Sequence, residues 1–153
     1  MDSVKSNKTA QSNAHNQKQL LEYRLPTRLA EIEMLADTVD KALADRDLAF
    51  SVNLCLEELI TNTIVHGLAG ASDRFIDVTM SISDGWLEIL LKDDAPQFDP
   101  FVQVPEPKLD LDINDRSVGG LGVHLVKKMM DEVHAEYDGS GNLIVLRKRL
   151  SLK

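Results

Sequence analysis

A chain of 153 residues with 43% hydrophobic and 27% charged side chains has the composition of one folded domain, long enough to bury a core without metal or disulfide support. Its 25 acidic against 17 basic residues give a net charge of −8, which opposes the phosphate attraction behind most nucleic-acid binding and sets nucleic acid aside as a partner. The single cysteine, Cys55, stands between Leu54 and Leu56 and reads as a small buried hydrophobe rather than half of a disulfide.

Residues 1–17 are rich in Ser, Asn, Gln and Lys and lack apolar periodicity, the pattern of a disordered tail without a signal peptide. The folded domain is expected over 18–153. No stretch reads as apolar enough to span a bilayer, so the expectation is a cytoplasmic protein with no membrane partner. A strand is expected over 20–25, ended by Pro26. Pro26 and Thr27 then start a helix with Leu29, Ile32, Leu35, Val39 and Leu43 on its buried face. A second helix, over 49–66, places Val52, Leu56, Leu59 and Thr63 toward the core and stops at Gly67. Strands at 75–82 and 86–92 flank Ser83-Asp84-Gly85, a tight-hairpin turn that makes this part of the sheet antiparallel.

Residues 94–118 hold Pro96, Pro100, Pro105 and Pro107 among acidic residues, and a segment this long without a period reads as a mobile lid. Gly119-Gly120-Leu121-Gly122 opens a third helix carrying Val123, Val126, Met129 and Met130. Strands over 133–137 and 143–149 close the chain as a hairpin across 139–142.

Glu58, Asn62 and His66 fall at i, i+4 and i+8 of the second helix, so they line one stripe. A solvated face is the plain reading of such a trio, but Leu59, Ile60, Ile64 and Val65 leave little of this helix for open solvent. Glu57 is then the solvated acid. Asp93 shares strand parity with Leu87, Ile89 and Leu91, which puts a carboxylate at the end of an apolar row in need of a donor. A turn of its own loop and a ligand amino group serve equally well. Gly119, Gly120 and Gly122 allow close backbone approach, and a helix starting behind them turns free N–H groups toward an anion, although a plain loop-to-helix junction has the same look. Arg116, Lys127 and Lys128 lie around this helix, and such charges are usually surface groups that screen one another. His124 and His134 receive no role, and neither a zinc-spaced cluster nor a hydrolytic triad is present.

Taken in order, Glu58-Leu-Ile-Thr-Asn62-Thr-Ile-Val-His66, Asp93-Asp-Ala95-Pro-Gln-Phe98-Asp99-Pro100 and Gly119-Gly-Leu-Gly122 resemble the three ATP-binding boxes of the gyrase/Hsp90/histidine-kinase/MutL (GHKL) superfamily. Within it the chain is most similar to the standalone serine/threonine kinases that act as anti-sigma factors in bacterial partner switching. The resemblance implies an α/β fold, a two-layer sandwich of a mixed, mostly antiparallel sheet with helices on one face. It implies ATP and Mg²⁺ as cofactors, with Glu58 as general base, Asn62 on Mg²⁺ and Asp93 accepting the adenine amino group. His66, Ala95, Phe98, Arg116, Gly119, Gly120, Leu121 and Gly122 would complete the nucleotide site. The family has Gly where this chain has Ala95, which is expected to alter the approach to the base. The implied partner is an anti-anti-sigma protein of the STAS type, with a sigma factor and a homodimer also within the family pattern. No long helical segment precedes the motifs to carry a phospho-accepting histidine, so a sensor histidine kinase is not expected. A noncatalytic module that uses nucleotide to set its shape while sequestering a regulator is the competing reading, and an ATPase driving a conformational cycle is a weaker third.

Overall fold

The computed structural model describes residues 16–103 and 120–151. Strand β1, Gln17–Pro26, is followed by a 3-10 turn, Leu29–Glu31, and helix α1, Ile32–Ala42. Helix α2, Arg46–Asn62, runs on into a π turn, Thr63–Gly67. Strands β2, Phe75–Ser83, and β3, Trp86–Lys92, come next, then a short helix α3, Pro100–Gln103, and helix α4, Gly120–Met129. Strands β4, Glu132–Tyr137, and β5, Asn142–Arg149, complete the described chain.

The five strands form one sheet in the order β1-β2-β3-β5-β4. Every pairing is antiparallel, so the parallel component expected of a mixed sheet is absent among the described residues. The reason is that β5, the second strand of the last hairpin, inserts beside β3 and leaves β4 at the edge. Alternation fixes which face the helices cover. Ile76, Val78 and Met80 of β2, Leu87, Ile89 and Leu91 of β3, and Ile144 and Leu146 of β5 are all buried. They meet Leu35 and Val39 of α1, Val52, Leu56 and Leu59 of α2, and Val126 of α4 in one core. Each such side chain contributes about 1.5–3 kcal/mol by leaving water. The helical layer is thereby held against one face of the sheet, the two-layer sandwich expected.

Several boundaries differ from the sequence reading for local reasons. Strand β1 begins at Gln17, ahead of the apolar run, because Gln17, Lys18 and Gln19 pair with Ser83, Ile82 and Ser81 across a bulge, and backbone pairing needs no apolar side chain. The helix expected at Pro26 and Thr27 is delayed. Thr27 is buried, and its hydroxyl donates to the carbonyls of Ala71, at 2.8 Å, and Arg74, at 3.1 Å. Leu29, expected in the core, is 52% exposed. Helix α2 starts at Arg46 because Asp45 caps it, accepting from the Asp47 and Leu48 amides at 3.0 and 3.2 Å.

The run 46–67 is long and apolar enough by length and composition to cross a membrane, against the expectation that no stretch is. Its apolar side packs on the sheet as a core helix, and Glu57 stands exposed on the other side. Val65, counted in the sequence reading among the apolar neighbours that shield this helix, is 47% exposed.

Candidate functional site

Glu58 and Asn62 lie one turn apart on α2, the first half-buried and the second buried. Burial raises the Glu58 carboxyl above its ordinary range, and the neighbouring Glu57 charge adds to the effect. The Asn62 amide nitrogen is buried without a hydrogen-bond partner among the described residues. An orphaned buried amide is costly, and a ligand of its own offsets that cost.

His66 does not continue the stripe. The α geometry ends at Asn62, and the Leu68 amide reaches back five residues to the Thr63 carbonyl at 2.8 Å. This π turn is wider than an α turn and rotates His66 out of register. His66 is exposed, with its ring 6.3 Å from that of Phe98. Gly67, in the same turn, brings the backbone under Ala95 and Phe98, and a Cβ there would stand 3.8 Å from the Ala95 methyl and 3.5 Å from the Phe98 ring. The segment after Asp93 therefore folds over the end of the α2 helix.

Asp93 is buried just past the end of β3, on the face that strand parity assigns it. Its Oδ1 accepts from the Ala95 amide at 2.9 Å and from the Asn142 side-chain amide at 2.9 Å. The turn is thus formed within the chain, and Oδ2 receives no donor among the described residues. Asn142, which the sequence reading placed only in a hairpin turn, is buried at the start of β5. Only its Asn-after-Gly position, on the strand beside the one that ends at Asp93, could have signalled it. Cys55 is buried against Met129, sulfur to sulfur 3.9 Å, and burial pushes its thiol up to about 11, the state of an inert core residue.

At the start of α4, the backbone of Gly120 and Leu121 forms the first helical turn, and Gly122 is buried directly against Glu58. Any Cβ at 122 would overlap the Glu58 carboxylate. Arg116 and Gly119, together with most of the expected lid, lie outside the described residues. The part of that segment within them is a loop over 94–99 leading into α3, where Asp99 accepts from the Phe101 amide at 2.8 Å and the Lys127 ammonium reaches the Phe101 carbonyl at 3.2 Å.

Glu58 thus packs on Gly122 at the start of α4, with Asn62 one turn further along α2, and Ala95 and Phe98 lie over the π turn that follows, with Asp93 bonded to the Ala95 amide. The family model described as a histidine kinase-like ATPase domain matches residues 24–148. The chain belongs to that family. A histidine kinase-like ATPase domain implies use of ATP, and the donor set fits it: a buried carboxylate with a free acceptor, an unpartnered amide and a glycine-rich helix start.

Among curated relatives, the serine-protein kinase RsbW of Listeria innocua is 30% identical over 105 residues, 67% of this chain and 66% of that protein. The chain therefore matches just under two thirds of that relative's length. The anti-sigma F factor of Priestia megaterium is 26% identical over 102 residues, 65% of this chain and 69% of that protein. A crystal structure of RsbU and RsbW domains from Mycobacterium tuberculosis superposes with a TM-score of 0.60 at 15% identity, over 85% of this chain and 31% of that one. At that identity the likeness speaks for the fold.

Proposed function

We propose that this domain is an ATP-dependent serine/threonine protein kinase and anti-sigma factor of a bacterial partner-switching system, acting in the cytoplasm on a STAS-type anti-anti-sigma protein. A sigma factor is its second partner, and a homodimer its working assembly. The observation that carries the proposal is Glu58: a half-buried carboxylate one turn before the orphaned Asn62 and packed on Gly122 at the head of a helix.

In this reading Asp93 offers its free oxygen to the adenine amino group, and Ala95 and Phe98 wall the base. Gly120, Leu121 and Gly122 turn backbone N–H groups to the phosphates, with His66 at the rim of the site. The Asn62 amide, turned to present its oxygen, would hold Mg²⁺, which binds few protein ligands beside phosphates and water. ATP, when bound, would supply the γ-phosphoryl group, and the Mg²⁺ bound with it would neutralise part of its charge. Glu58 accepts the proton of the attacking serine or threonine hydroxyl as its oxygen bonds to the γ-phosphorus and the bond to the bridging oxygen breaks, leaving ADP. The raised Glu58 pKa suits this task, since a base works best with a pKa near the working pH.

The test is incubation with γ-labelled ATP, Mg²⁺ and a purified STAS-domain protein, followed by phosphoamino-acid analysis. Label on serine or threonine is expected. Nucleotide-dependent binding of the partner with no label transferred would replace the kinase by a noncatalytic binding module.

A further inference from the structure

We infer that Asn142 is a positioning residue for base selectivity: its amide orients the Asp93 carboxylate so that one oxygen is spent inside the protein and the other is left to read a 6-amino purine. This rests on the reading of Asp93 as the acceptor of the adenine amino group and names the residue that makes that reading selective.

Asn142 is 3% exposed, and such a buried amide must find partners for two donors and an acceptor. Its Nδ2 donates to Asp93 Oδ1 at 2.9 Å and to the carbonyls of Pro96 at 3.0 Å and Ala95 at 3.3 Å. Its Oδ1 accepts from the Phe98 amide at 2.9 Å. The backbones of the two residues are also paired, Asp93 N to Asn142 O at 3.0 Å and Asn142 N to Asp93 O at 3.2 Å. This approach depends on the residue before it. A Cβ at Gly141 would overlap the Asp93 carbonyl oxygen and lie 3.0 Å from Asp94 Cα.

The consequence is directional. With the Asn142 and Ala95 donors both on Oδ1, the carboxylate cannot turn without losing two hydrogen bonds. The remaining oxygen is an acceptor at a fixed place. An acceptor there favours the 6-amino group of adenine and disfavours a 6-oxo group, because a site built for one hydrogen-bond sense leaves its own group unpaired when the other is presented. The same side chain holds the Phe98 amide, so the wall beside the base is set by the residue that sets the acceptor.

The test compares the affinity of ATP with that of purine riboside triphosphate, which lacks only the 6-amino group. It uses the wild type, Asn142→Asp, which keeps the side-chain shape and the acceptor for Phe98, and Asn142→Ala. Wild type should prefer ATP by about 10- to 100-fold, the range of one hydrogen bond to a charged group. In either folded variant that preference should shrink to within about threefold, with the affinity for the analogue less affected than that for ATP. A merely structural Asn142 would weaken both ligands equally and leave the ratio intact, which overturns the inference while sparing Asp93. A wild type that binds the two ligands equally overturns the base-reading role of Asp93 itself. If the alanine variant does not fold, the isosteric aspartate variant carries the comparison, with circular dichroism as the check.

Discussion

Gly122 lies so close to Glu58 that a Cβ at position 122 would overlap the carboxylate and stand 2.8 Å from Glu58 Cγ. The missing side chain is what lets the head of α4 meet the proposed base. Gly122→Ala should fold, because the obstruction is a flexible side chain that can swing aside, but it should displace Glu58. Single-turnover phosphorylation of a STAS-domain protein should fall about tenfold or more, as for a misplaced catalytic group. A folded variant with the wild-type rate would separate the packing of these two residues from the chemistry.

The elevated Glu58 pKa gives two pH effects of opposite sense. A base works ionised, so the transfer rate should rise with pH through a pKa above the ordinary carboxylate range and then level off. For stability, the folded protein keeps the Glu58 proton to higher pH than the unfolded chain does. Stability therefore declines as pH rises from the ordinary carboxylate value through the raised one. Denaturant titrations at several pH values should show Glu58→Gln gaining on the wild type across that window, and parallel curves would argue against a raised pKa.

Asp93→Asn retains an oxygen for the Ala95 and Asn142 donors but presents an amide where the free carboxylate oxygen stood. ATP affinity should drop about 10- to 100-fold by calorimetry, the cost of one charge-assisted hydrogen bond, in a protein with unchanged circular dichroism. Wild-type affinity would remove Asp93 from the site.

Gly141→Ala meets backbone rather than a movable side chain, with Asp93 C and Asp94 Cα each 3.0 Å from the new carbon. The substitution should cost about 1–3 kcal/mol of stability in chemical denaturation, the usual range for overpacking. It should also weaken ATP binding by moving Asn142. A variant as stable as the wild type would mean that β5 and the segment after β3 can part without strain.

The core was legible because periodicity reports burial. Leu87, Ile89 and Leu91 alternate along β3, and Asp93 follows them into the interior; the same parity, read from the sequence, assigned it that face. The Asp84-Gly85 turn was equally plain, and both residues have positive φ, 52° and 81°. What sequence could not give were features made by partners far along the chain. Asn142 reaches Asp93 across 49 positions, and its Asn-after-Gly position at a strand start is a weak signal beside that distance. The π turn that moves His66 off the stripe arises where the chain leaves α2 to pass under Phe98, against the i, i+4 count that works up to Asn62. Thr27 was read as a helix start because Pro26 precedes it, whereas its hydroxyl is committed to the segment ahead of β2.

The most direct test of the kinase reading is a single-turnover assay of wild type and Glu58→Gln with Mg-ATP and a STAS-domain protein, paired with an ATP titration of each. The glutamine keeps size and packing against Gly122 but cannot accept the proton. Phosphotransfer should fall by about 10²–10⁴, the range for loss of a general base, while ATP affinity stays within about threefold of wild type. A Gln variant that phosphorylates at the wild-type rate would contradict the assignment of Glu58 and the mechanism built on it.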